Sequence, residues 1–146
     1  MKRVALVLIA LALAVVAPAA ALVAPVAAEH TADTRYVVLG FVKNAQGKLR
    51  PEQAVEVVRD KTGFAYSGRT DEQGLFVVVV RLGDESAGET LTLRIGPVTT
   101  TVTARFDPTN HADDRGTRVD LDGTKFVERT TAFRPTLARF VRSERH

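Results

Sequence analysis

The chain has 146 residues, 45% of them hydrophobic, and a formal net charge of +3 from 20 basic and 17 acidic side chains. It has no cysteine, which excludes a disulfide framework, thiolate chemistry and lipid attachment at an N-terminal cysteine. Setting aside Lys2 and Arg3 at the extreme N-terminus lowers the basic count from 20 to 18 and the net charge to +1, so the charge gives no argument for nucleic-acid binding.

Residues 1–28 have the layout of a secretory signal peptide. Lys2 and Arg3 form a positive start, an unbroken apolar run covers residues 4–16, and an Ala/Pro-rich stretch ends in Val26-Ala27-Ala28. The small side chains at positions 26 and 28 place the cleavage before Glu29. A retained membrane anchor is the competing reading. Pro18 and Pro25 interrupt the uncharged stretch, and its strongly apolar part is short for a bilayer span. The protein is therefore expected in the periplasm or outside the cell. Residues 29–123 are expected to form one domain and residues 124–146 a basic, aromatic tail.

Alternation of period two dominates residues 35–122. It predicts strands over 35–43, 54–59, 64–69, 75–82, 90–95, 98–106 and 118–122. Asn44-Ala45-Gln46-Gly47, Asp60-Lys61-Thr62-Gly63 and Thr70-Asp71-Glu72-Gln73-Gly74 read as turns between them, with Asp or Asn early and Gly late. Residues 107–117 read as a long polar loop. Asp120 and Asp122 are expected on the solvent face of the last strand, with Val119 and Leu121 inward. About seven short strands separated by turns predict an all-β, antiparallel, two-sheet sandwich.

The stretch from Val38 to Ile95 resembles the carboxypeptidase regulatory-like, or transthyretin-like, domains. The resemblance begins at Gly40-Phe41-Val42 and Gly47 and continues through Ala54-Val55-Glu56-Val57-Val58. Its clearest part is Gly68-Arg69-Thr70-Asp71-Glu72-Gln73-Gly74-Leu75-Phe76, a strand, an acidic turn, a glycine and an aromatic strand; residues 88–96 look like the strand that follows. The resemblance implies a seven-stranded, prealbumin-like sandwich that serves as an accessory, binding or assembly module beside other proteins. Enzymes of related fold differ at the residues they need. The transthyretin-like purine-pathway hydrolases need histidines and a Tyr-Arg-Gly-Ser ending, whereas this chain ends Arg142-Ser143-Glu144-Arg145-His146. The intradiol dioxygenases use a tyrosine and histidine iron site, and here Tyr36 and Tyr66 have no histidine pair beside them.

Catalytic and metal signals are sparse. The histidines His30, His111 and His146 lack the short spacing of a zinc site. The pairs Asp113-Asp114 and Asp120/Asp122 supply too few carboxylates for a calcium loop. Of the serines Ser67, Ser86 and Ser143, none sits in a nucleophile elbow. No catalytic residue, metal or cofactor is therefore expected, and the chain is read as no enzyme. Lys43 resembles the first-strand lysine of pilin-like domains that join lysine to a late asparagine. Asn110 lies in a loop, however, and residues 91–95 carry no glutamate.

Two strands are apolar on both faces. Val37, Leu39 and Phe41 oppose Tyr36, Val38 and Val42; Leu75, Val77 and Val79 oppose Phe76, Val78, Val80 and Leu82. A sandwich strand needs only one apolar face, so the second requires a cover. Residues 125–146 are the candidate, with at most a short helix beginning near Pro135. The cover acts either on its own sandwich or on a partner. In the second case Phe133, Leu137 and Phe140 are the apolar anchors, with Arg134, Arg139 and Arg142 as a charged rim. The partner expected is another envelope or secreted protein, ahead of a lipid surface and with no role for nucleic acid. A small-molecule or carbohydrate carrier and a pilin-like structural module remain the alternatives. N-terminal sequencing of the exported protein is expected to begin at Glu29 or within a few residues of it; an intact Met1 on membrane-embedded protein would contradict the signal-peptide reading.

Overall fold

A computed structural model describes residues 34–145. The signal-peptide assignment, the cut before Glu29, and His30 and His146 lie outside the described residues. Eight strands run in chain order: β1 (Arg35–Lys43), β2 (Ala54–Arg59), β3 (Ala65–Arg69), β4 (Leu75–Arg81), β5 (Thr90–Ile95), β6 (Val98–Thr103), β7 (Gly116–Asp122) and β8 (Lys125–Glu128). One helix follows, α1 (Phe133–Glu144). The strands form two four-stranded sheets, ordered β4-β1-β7-β8 and β3-β2-β5-β6.

Two features depart from the expected seven antiparallel strands. The pair β1–β7 is parallel, with Val37 opposite Gly116 and Val42 opposite Leu121. After β6 the chain crosses back through the long 104–115 connection and enters β7 in the direction of β1, as a parallel neighbour requires. The eighth strand, β8, lies in what reads as a tail. Its four residues are too few to display alternation, but the turn before it is explicit. Asp122 pairs with Lys125 across Gly123-Thr124, and Gly123 has a φ of 68°. That left-handed first position is what a two-residue hairpin turn needs and what glycine supplies without strain.

The structure chooses which face of the two doubly apolar strands joins the core, and it buries Leu91, Leu93, Val119 and Leu121 as the alternation predicts. Tyr36, Val38, Phe76, Val80, Leu91, Leu93 and Val119 are at most 2% exposed and pack between the sheets. Burial pushes the Tyr36 phenol up to about 12, so it stays protonated at neutral pH. The turn before β4 has the expected chemistry: Asp71 Oδ1 accepts from the Gln73 and Leu75 amides at 2.8 and 3.0 Å.

The second face of the β4-β1-β7-β8 sheet is covered by its own chain. Phe133, at the start of α1, is 3% exposed and packs on Val37 and Leu39, with Val77 and Leu137 at the margin. Gly116 opens the slot, since a Cβ there would meet the Phe133 ring and the Val37 carbonyl oxygen. Pro135 falls in the first helical turn, where its missing N–H has no intrahelical partner to lose. Phe133→Ala is expected to cost about 3–5 kcal/mol. Chemical denaturation should show a lower midpoint at unchanged slope, and an unchanged midpoint would mean that the ring contributes nothing to holding the helix.

Candidate interaction face and its anchoring

The outer face of the first sheet carries both apolar and charged groups. Arg118 and Asp120 on β7 point to the same side as Val37, Leu39 and Phe41 on β1. The placement of Asp120 corrects the sequence reading: it is 5% exposed, not on a solvent face. The reason is local. The β1–β7 ladder skips Gly40 and Phe41, and Asp120 Oδ1 accepts the Phe41 amide at 2.9 Å in place of a backbone partner. The buried carboxylate is compensated by Arg118, at 3.0 Å from Nε to Oδ1 and 2.9 Å from Nη2 to Oδ2. Arg129 adds a contact at 3.3 Å. Arg118 also lies 5.0 Å from the centre of the Phe41 ring and donates to Thr136 Oγ1 of α1 at 3.1 Å. A buried acid is tolerated on such terms, paired and fully hydrogen-bonded. The network ties β1, β7 and the helix together.

The loop between β6 and β7 is pinned by Arg115, whose side chain is 4% exposed. Its Nη2 donates to Asp84 Oδ1 at 3.0 Å and to the Asn110 carbonyl at 3.1 Å. The guanidinium lies 4.3 Å from the centre of the Phe106 ring. The other oxygen of Asp84 is 2.9 Å from His111 Nε2. The hydrogen bond from His111, and after it that from Arg115, holds the Asp84 carboxyl below the usual carboxylate range.

Beside α1 the sheet is incompletely covered. A cleft of about 250 Å³ has Val77 and Val79 as its floor, Leu137, Phe140 and Val141 as one wall and the 111–115 loop as the other. Val79 and Val141 are each 39% exposed. A second cleft, of about 300 Å³, lies on the far side of Phe140 and is lined by Leu75, Glu72 and Arg139 among others. A third, more polar, of about 350 Å³, lies between the pinned loop and residues 130–134.

The six residues expected to contact a partner are thus divided. Phe133 is buried against its own sheet and is not presented outward. Leu137 and Phe140 are half-buried, and Arg134, Arg139 and Arg142 are exposed. Arg134 lies 3.6 Å from Asp113. Sequence reasoning missed Val79 as an open floor, and it missed the Arg118–Asp120–Arg129 and Asp84–Arg115 networks. The two-sided apolar pattern of residues 75–82 was the available signal for the first. Asp84 and Arg115 stand on distant segments with no local signature, whereas Arg118 and Asp120 are two apart on one face of one strand, a spacing that could have shown the pair.

Among the described residues, no group of three or more His, Asp or Glu side chains comes together in a way that could hold a metal ion. Tyr36 lies in the core, Tyr66 packs beside Phe64 with ring centroids 5.0 Å apart, and His111 is engaged by Asp84. Among the described residues no helix is long and apolar enough to cross a membrane.

No protein-family model matches the chain, and no curated protein does. Solved structures similar to it include two at 13% identity. Chlorocatechol 1,2-dioxygenase from Pseudomonas putida has a TM-score of 0.44 over 68% of this chain, and catechol 1,2-dioxygenase from Acinetobacter sp. ADP1, inhibited by bound mercury, has 0.37 over 60%. The chain spans 62% and 44% of their respective lengths. Both are enzymes, so the sequence reading of this chain as no enzyme is withdrawn. A sandwich of this kind is a scaffold that hosts catalysts as well as binding modules. At such identity and TM-score no activity passes from them to this chain.

The Asp84 contacts set a pH dependence of known sign. A carboxyl held low in the folded state stabilises above its unfolded value, near about 3.9. That stabilisation is lost as pH falls through the lower folded value. Asp84→Asn is therefore expected to melt lower than the parent above pH 4, with the gap closing in stronger acid. A gap independent of pH would mean that the carboxylate charge is not what pins the loop.

Proposed function

We propose that this protein is an exported accessory module, a prealbumin-like sandwich of the carboxypeptidase regulatory-like or transthyretin-like kind, that binds another envelope or secreted protein through α1. The observation that carries the reading is the division of labour around the helix. Its inner side, led by Phe133, covers Val37 and Leu39. Its remaining surface presents half-buried Leu137 and Phe140, exposed Val141 and the exposed cations Arg134, Arg139 and Arg142. Apolar anchors inside a charged rim are the usual composition of a protein contact. The two-sheet architecture and the 70–74 turn support this reading, with one strand more than the seven the resemblance implies, and the leader-like residues 1–28 support export.

The test uses covalent crosslinking in the exporting cell. The double variant Arg134→Glu, Arg142→Glu should keep the parent melting temperature and lose the crosslinked partner. Raising salt should weaken the complex less than these reversals do, because exposed charges are screened while the apolar anchors are not. A variant that keeps every partner would remove α1 as the binding element.

A further inference from the structure

The edge of the first sheet at β4 is chemically unlike the other three edges. Natural edges are blunted by charge, glycine, proline or shortness, because an open row of N–H and C=O groups templates another strand. β8 has four residues and carries Lys125 and Glu128. β3 has five, with Gly68 and exposed Arg69. β6 carries no charge, glycine or proline, but it is polar, with threonine at four of its six positions. β4 reads Leu-Phe-Val-Val-Val-Val before its single charge at Arg81, with no proline, glycine or bulge.

Among the described residues its outward backbone groups also have no strand partner. Val42 N–H donates to the Gly74 carbonyl at 2.9 Å, and Leu82 N–H to Thr34 at 2.8 Å. These bonds bracket the antiparallel register in which Arg35 faces Arg81. Alternation then directs the groups of Phe76, Val78 and Val80 to β1 and those of Val77, Val79 and Arg81 away from it. The Leu75 groups are taken by the 71–75 turn. Gly68 of β3 lies under this edge, where a Cβ would come 3.0 Å from a Val78 methyl and 3.6 Å from the Val77 carbonyl oxygen. A larger residue at position 68 would place its side chain against that carbonyl, and glycine does not.

The charges around the strand favour a particular occupant. Asp71 and Glu72 precede β4 and line its cleft together with Arg139, a net negative end. Arg81 closes β4, and Arg35 lines the cleft at that same end together with Asp114, while Asp113 is matched by Arg134 and Arg115 by Asp84, which leaves the end net positive. The strand thus runs from an acidic to a basic end. An antiparallel second copy places each basic end on the other's acidic end, which a parallel strand does not.

We propose that two copies of this chain associate through β4, paired antiparallel about a two-fold axis at Val78. Val77 of each copy pairs with Val79 of the other, and Arg81 lies opposite Leu75 and within reach of Glu72. The two four-stranded sheets become one continuous eight-stranded sheet. The Val77 and Val79 floors of the two clefts join into one apolar strip, walled on each side by an α1. The interface is isologous, as a two-fold pair requires. This goes beyond the contact assigned to α1, since it is read on the purified protein with no other partner present.

Sedimentation equilibrium over a concentration series tests it. The parent should be a dimer. Val79→Lys changes a side chain that is already 39% exposed, so it should keep the monomer's melting behaviour while raising the dimer dissociation constant at least about tenfold, because a lysine on an edge strand opposes pairing. Arg81→Glu and Glu72→Arg should each weaken the dimer. Combined in one chain they should restore it, since the two-fold pairing brings the reversed charges together again. A parent that stays monomeric at its highest soluble concentration overturns the proposal. So does a dimer that Val79→Lys leaves intact, or a double reversal no better than either single change.

Discussion

A sheet apolar on both faces cannot be the outer layer of a protein, and the rest of this structure follows from that constraint. β1 turns Tyr36 and Val38 to the other sheet and Val37 and Leu39 to the opposite side, and all four are buried. Each large apolar side chain left in water would forgo about 1.5–3 kcal/mol. α1 therefore adds a third layer, and the first sheet becomes the middle one of the three described. Gly116 is part of the same solution, since the Phe133 ring occupies the space where a side chain would stand.

The third layer is oriented by charge as well as by apolar contact. Apolar burial is non-directional and does not by itself fix how a helix lies on a sheet. Arg118 supplies the direction: one side chain reaches the Asp120 carboxylate, the Phe41 ring and the Thr136 hydroxyl at the same time. Asp120 in turn replaces a missing rung of the β1–β7 ladder. Removing Arg118 leaves the buried Asp120 carboxylate with the longer Arg129 contact as its remaining charged partner, which costs more than the pair gains over an apolar substitute. Arg115 does the equivalent work for the loop that walls the cleft, joining Asp84, the Phe106 ring and the Asn110 carbonyl.

Much of the sandwich was legible in the sequence because period-two alternation is a local signal. The bounds of β1, β2 and β5 are those read from the pattern, and the Asp71 turn has the expected bonds. The need for a cover was legible too, from Val37 and Leu39 opposing Tyr36 and Val38. What was not legible is non-local. The parallel direction of β7 depends on which way a long loop returns, and no residue in that loop encodes it. β8 is too short to show a period. Asp120 read as solvent-facing because alternation separates two faces of a strand without saying what lies on each. Here the second face meets a helix. The same gap hid the division within α1, where spacing marked Phe133 and Phe140 alike but only Phe133 meets the slot at Gly116.

The order of these layers along the chain has a kinetic side. The first strand is flanked by β4 and β7 and roofed by a helix that begins at residue 133, so its surroundings are assembled from nearly the whole length of the polypeptide. Loop closure over such separations is slow compared with local hairpins such as β2–β3 or β5–β6. As the chain emerges N-terminus first, the second sheet has local partners early and can cover Tyr36 and Val38, while the outer face of β1, Val37 and Leu39, stays bare until α1 arrives. The period between those two events is when the molecule is most open to wrong strand partners. It closes when α1 docks on Val37 and Leu39, which makes that helix the element that commits the first sheet to its place.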